Sequence, residues 1–196
     1  MNEHLLEELL AMQRRDFDTR SRLRKAGKLF GGYSDEMQKV HRDNAENLDR
    51  IISKHGWPGV SAVGIEGCRA AWLIAQHSIC TPDLQRRFLA LLSEAVRKGE
   101  APQQQLAFLT DRIRFNEMKP QVYGTVLDWN ERGELSCDIE DPRGLEARRQ
   151  AVGLRPFKDD VERHRSELRA EGGGPPPDFD EYRRRRAQWA KSVGWI

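Results

Sequence analysis

The chain has 196 residues, and 33 basic against 31 acidic side chains leave a formal net charge of +2. That length carries one full hydrophobic core, and the near balance of charge excludes the electrostatic footprint of a general nucleic-acid or membrane-surface binder. The longest apolar run, "AAWLIA" at residues 70–75, falls far short of the roughly 20 residues that span a bilayer.

The N-terminus "MNEHLLEELLAMQRRDFD" has acidic residues in its first turns and no apolar stretch before a small-residue cleavage site, so a cytoplasmic location is expected. Leu5, Leu9, Met12, Asp16 and Leu23 share one helical stripe. Asp16 interrupts that apolar face, with Arg20 one turn beyond it. Three glycines in "KAGKLFGGYSDE" break the helix, and Ser34 restarts it as an N-cap. The second helix lines up Met37, Val40, Asn44, Leu48, Ile51 and His55, so Asn44 is again polar within an apolar row. It stops at "HGWPG". Ser61 is the expected cap of a buried helix running to about Ser78. Thr81, Pro82 and Asp83 then start a helix that packs through Leu84, Phe88, Leu91, Leu92 and Ala95 and ends at Gly99. Another begins near Pro102 and buries Leu106, Leu109 and Ile113.

The period then changes. Tyr123, Thr125, Leu127 and Trp129 alternate with Val122, Gly124 and Val126, and "NERG" precedes "ELSCDI", which predicts a β-hairpin near residues 121–139. Asp141 and Pro142 restart a helix that closes at Gly153, and a charged helix follows from about Lys158 to Ala170. "EGGGPPP" is a linker by composition. The last segment forms a short helix with Tyr182, Trp189 and Trp195 available for docking. The predicted fold is mainly α: a single helical core domain over residues 1–157 with one β-hairpin, then a charged helix, linker and C-terminal accessory helix over residues 158–196.

Six separated motifs occur in an order that resembles an uncharacterised bacterial, largely actinobacterial, family of unknown function. They are "GWPGVSAVG" at residues 56–64, "AAWLIAQH" at 70–77, Gln85 within "DLQRRFL", "LAFLTDRI" at 106–113, "PQVYGT" at 120–125, and "EDP" with "ARRQAVGL" at 140–154. The resemblance covers roughly residues 5–157 and implies a shared site near these motifs without supplying an activity. Two departures stand out. Family members usually follow the glutamine–histidine pair with a small residue and an aspartate, where this chain has Ser78 and Ile79, and they follow the tyrosine–glycine–threonine with glutamine, where it has Val126.

Polar residues beside apolar segments are the candidate site. His77 projects from an otherwise dry helix. It is either a core histidine bonded to a backbone carbonyl or to Asp111, or a proton carrier whose burial and carboxylate neighbour suit acid–base work. Gln76 would orient a ligand beside it. Arg112, with Phe108 and Phe115 one turn away on either side, either runs along those rings to solvent or turns inward to hold an anion in a bidentate grip. Asp16 with Arg20, and Asn44, are further buried candidates. Gln121, Tyr123 and Thr125 point to one side of the predicted first hairpin strand and offer three hydrogen-bonding tips, as an ordinary amphipathic strand also would.

Metal binding is not expected, because His4, His41, His55, His77 and His164 show no spacing that pairs two ligands along one helix, although His41 and Asn44 share a helix side. Cys68, Cys80 and Cys137 lack C-x-x-C spacing and read as core or incidental thiols. No glycine-rich phosphate loop or nucleophile elbow is present, so no cofactor is expected. The tetrad Arg183, Arg184, Arg185 and Arg186 is offset by Asp178, Asp180 and Glu181, which favours a solvated helix face over nucleic acid. The resulting expectation is a metal-independent acid–base enzyme for a small anionic ligand, performing hydrolysis, elimination or displacement. His77, Asp111 and Tyr123 are its catalytic groups, and Gln76, Arg112, Gln121, Thr125, Asp16, Arg20 and Asn44 bind substrate. The rival reading is a non-catalytic binding protein in which the same residues form a structural network. The C-terminal helix would dock on its own chain, on a second copy or on a protein partner.

Overall fold

The computed structural model describes residues 1–28 and 32–196. Residues 29–31, within the glycine-rich break, lie outside it. The fold is mainly α: among the described residues there are eight helices and one two-stranded antiparallel ribbon. The chain forms two compact units, Met1–Leu106 and Ala107–Ile196. No described helix is long and apolar enough to cross a membrane.

In the first unit, α1 (Glu3–Lys25) packs on α2 (Asp35–His55) and on α3 (Val60–His77), and α4 (Pro82–Arg97) packs against α2 and α3. The helices form where the periodicity places them. α1 buries Leu5, Leu9, Met12, Asp16, Thr19 and Leu23, and the Asn2 side chain caps it by accepting from Leu5 N at 3.1 Å. Ser34 caps α2, its hydroxyl accepting from Met37 N at 3.2 Å. The core is made by Leu9, Leu48, Val63, Ile74, Phe88 and Leu92, all essentially inaccessible. Each such side chain contributes about 1.5–3 kcal/mol relative to an exposed one.

The expected start of α3 is corrected. Gly59, not Ser61, is its N-cap, and the helix is interrupted at Gly64, whose φ of 70° no regular helical residue adopts. Glu100 fixes this entry. Its backbone carbonyl accepts from Val60 N at 2.9 Å and its carboxylate from Ser61 N at 3.0 Å. A Cβ at position 59 would lie 2.4 Å from the Glu100 carboxylate, so glycine is required for that approach.

In the second unit, α5 (Gln103–Asn116), whose first residues belong to the first unit, is followed by β1 (Asp128–Trp129) and β2 (Leu135–Ser136), paired Asp128 to Ser136 and Trp129 to Leu135. Three more helices follow: α6 (Leu145–Ala151), α7 (Phe157–Ala170) and α8 (Phe179–Val193). The hairpin is shorter than its alternation predicts. Gln121, Tyr123 and Thr125 belong to a loop outside the ribbon, where an isolated parallel bridge joins Gln121 to Ile139. Asp141 and Pro142 precede a bend, so α6 begins later than the proline signal indicates.

The three cysteines are free thiols. Burial pushes the Cys68 thiol up to about 11. Burial, aided by the negative charges of Asp111 and Asp138, pushes Cys137 up to about 12, and burial also raises Cys80. A thiol near 11 is roughly a thousandth thiolate at pH 8, and the thiolate is the reactive form. The folded chain is therefore expected to react slowly with a disulfide reagent at pH 8, releasing its full thiol count only after denaturation. Rapid titration of any thiol in the native protein would contradict these burials.

Candidate functional site

Asp16, His41 and His77 come together from three helices of the first unit. Asp16 sits on the core-facing stripe of α1 and is 1 % exposed. His41 follows Met37 by one turn on α2, and His77 is the last residue of α3. His77 Nδ1 lies 2.7 Å from Asp16 Oδ2, and His41 Nε2 approaches the same oxygen at 3.3 Å. The two imidazole rings are 5.1 Å apart between centroids. On its far side His41 Nδ1 meets the Tyr33 hydroxyl at 2.5 Å. The four groups form a chain, Tyr33 to His41 to Asp16 to His77, buried at its two middle members and half-buried at Tyr33 and at the His77 imidazole, which is 29 % exposed.

The surrounding bonds hold each member in place. The end of α3 is fastened by Gln85, fully buried, whose amide donates to Ala75 O at 2.6 Å and to Gln76 O at 3.0 Å, while the Ser78 hydroxyl donates to Ile74 O at 2.7 Å. Carbonyls that a helix end leaves open are thereby satisfied, and His77 is held at a fixed end rather than a frayed one. Asn44 fastens α2 to α1, its amide donating to Met12 O at 3.2 Å and its oxygen accepting from Arg15 at 2.5 Å. Burial alone would raise the Asp16 carboxyl, but contact with the His41 and His77 imidazoles outweighs it and holds the group well below the usual carboxylate range. Asp16 is thus a buried anion. Burial pushes the His41 imidazole down, with Asp16 opposing and His77 reinforcing the shift. Even so, Asp16 Oδ1 and His41 Nε2 are buried without a hydrogen-bond partner among the described residues.

A separate network occupies the second unit. Asp111, fully buried on α5, accepts from the backbone N–H groups of Val122 at 2.8 Å, Tyr123 at 3.1 Å and Thr125 at 2.9 Å, and from the Thr125 hydroxyl at 3.0 Å. Gln121 closes the same loop, donating to Val126 O at 2.7 Å and accepting from Val126 N at 3.0 Å. Arg149, also fully buried, takes the carbonyls of Tyr123 at 2.6 Å and Gly124 at 3.3 Å and forms an ion pair with Asp160. Gly124 has a φ of 65°, and a Cβ there would lie 2.9 Å from the Phe157 ring. The loop is gripped through its N–H groups by an acid and through its carbonyls by a base.

Of the residues singled out in the sequence, Asp16, Arg20, Asn44, Gln76 and His77 are in the first unit. Asp111, Arg112, Gln121, Tyr123 and Thr125 are in the second. Gln76 is buried, and Tyr123 is half-buried. Arg112 is half-buried with its guanidinium 5.9 Å from the Phe115 ring, and its Nε is buried without a hydrogen-bond partner among the described residues. Burial, followed by the charge of Arg186, brings Arg112 down to about 10. A cleft of about 910 Å³ in the second unit is lined by Phe115, Asp128, Trp129, Asp138, Arg183 and Arg186, a wall of both signs of charge. Sequence reasoning left three participants out of its site: His41, Tyr33 and Arg149. The spacing of His41 after Met37 and before Asn44 was the available signal, since it puts the imidazole on the buried row of α2.

No curated protein and no solved structure matches the chain. A family model described as "Family of unknown function (DUF6624)" matches residues 3–167, extending beyond the quoted motifs into α7, and the chain belongs to that family.

Proposed function

We propose that the chain is an enzyme that moves protons on a small anionic molecule, with Asp16, His41 and His77 as its reacting centre. The observation that carries this reading is the chain from Tyr33 through the buried His41 and Asp16 to the partly exposed His77. A buried carboxylate that accepts from Nδ1 fixes the imidazole's tautomer and orientation, and it leaves Nε2 to meet a substrate. Hydrolysis, elimination and displacement can each use such a group. Asp111, by contrast, spends its lone pairs on the loop at residues 122–125, which supports a role in folding for that residue and for Gln121 and Thr125.

A panel of small carboxylates, phosphates and sulfates tested by thermal shift on the wild type and on His77→Ala checks the reading. A ligand present at a hundredfold over its dissociation constant stabilises the folded chain by about 2.7 kcal/mol. The expected result is such a gain in the wild type that disappears in a folded His77→Ala variant, together with turnover of the stabilising compound. Equal stabilisation of both proteins, or binding without turnover, would favour the non-catalytic network.

A further inference from the structure

We infer that Asp16, His41 and His77 bind one divalent first-row transition-metal ion. One ligand atom from each residue lies within 4.8 Å of the other two, with the carboxylate 1 % exposed. Two imidazoles and a carboxylate are a donor set suited to zinc, iron(II), cobalt(II) or manganese(II), and three protein ligands leave coordination positions open for water or substrate. The three ligands come from three helices, so no spacing of two histidines along one helix marks them in the sequence.

The second observation is the state of the polar atoms. Asp16 Oδ1 and His41 Nε2 are buried without a hydrogen-bond partner among the described residues. Buried polar atoms without partners are uncommon, and a cation between the three groups would give His41 Nε2 the partner it lacks. His41 Nε2 and Asp16 Oδ2, 3.3 Å apart, have the separation of two ligands on one ion, since bonds of roughly 2.0–2.2 Å at tetrahedral angles give a similar span. The outer partner is also in place. Metal-bound histidines ordinarily hand their other ring nitrogen to a hydrogen-bonding group, and His41 Nδ1 has the Tyr33 hydroxyl at 2.5 Å.

The inference deepens the reading above and rests on it for its chemistry: the group that moves the proton becomes a metal-bound water, with His77 as ligand. Activating water in this manner is what an open three-ligand site supplies.

The test uses the full chain, stripped by chelation and titrated with cobalt(II), whose visible absorption reports its coordination. His41→Gln, His77→Gln and Asp16→Asn remove one ligand each, Tyr33→Phe removes the outer partner together with the hydroxyl's contact to Cys80, and His55→Gln, at the exposed end of α2, is the control. The wild type and His55→Gln are expected to bind about one equivalent with a saturable spectrum that zinc displaces. Each ligand variant should lose at least tenfold in affinity, and Tyr33→Phe about 10–100-fold. Should the ligand variants fail to fold, Tyr33→Phe decides on its own. No saturable spectrum in the wild type, or one kept unchanged in every folded variant, overturns the inference. A chain that binds no metal yet loses its small-anion response in His77→Ala keeps the acid–base reading. One that binds metal at these residues without any ligand response does the reverse.

Discussion

Arg149→Met is expected to lower the unfolding free energy by about 3–5 kcal/mol, the range seen when one partner of a buried ion pair is removed. The Arg149 side chain is completely buried and makes contacts in three directions: Arg155 O at 2.7 Å, the carbonyls of Tyr123 and Gly124, and the Asp160 carboxylate. Methionine fills much of the volume but leaves Asp160 with only Arg163, which reaches it at 3.1 Å from a partly exposed position. It also strands the two loop carbonyls in a dry site. Arg149→Lys keeps the charge without the fork and should recover only a minor part of the loss. Urea denaturation of the three proteins measures this. A loss below about 1 kcal/mol for Arg149→Met would show that the loop does not depend on the pair.

The contrast between these two networks explains what the sequence disclosed. Helices were legible because apolar residues on a 3.6 period have no other economical use, and α1, α2, α4 and α7 start or end close to where their caps and breakers place them. The hairpin was over-extended for a local reason. Tyr123 and Thr125 alternate as a strand would, but their N–H groups bond to Asp111, twelve and fourteen positions back along the chain, and no local pattern reveals that choice. Ser61 was a reasonable cap until Glu100 took its N–H from a distance of 39 residues.

The candidate centre was half legible for the same reason. Asp16 and His77 stood out because each interrupts an apolar stripe. Their meeting across a separation of 61 residues is a property of how α1 packs on α3, which periodicity does not encode. His41 sat on a buried row next to Asn44, yet a search for pairs along one helix passed over it. A side chain's burial can be read from its own helix. Its partner cannot.

Removing the residues after Ala170 is expected to destabilise the protein by about 3 kcal/mol, or roughly 6–12 °C for a chain of this length, since losing a buried aromatic alone costs that much. α8 is held by specific contacts within that unit. The Tyr182 hydroxyl donates to Asp128 Oδ1 at 2.5 Å, and Arg186 donates to Asp128 Oδ2 at 3.1 Å and to Phe115 O at 2.8 Å. The Arg186 guanidinium stacks 3.7 Å above the Phe115 ring. So the arginine tetrad is not uniformly solvated: Arg184 and Arg185 pair with Glu181 at the surface, while Arg186 turns inward. Trp195 is 4 % exposed, so it is anchored rather than free. Two substitutions in the full chain separate these contributions. Trp195→Ala should account for most of the loss, and Tyr182→Phe for about 1 kcal/mol, the low end of the cost of withdrawing a hydrogen bond from a buried acceptor. Hydrogen exchange on the intact protein provides the independent check. Amides of α8 that exchange as fast as an unfolded peptide, with a truncated chain matching the intact one in melting temperature, would show that the helix is not part of the folded unit.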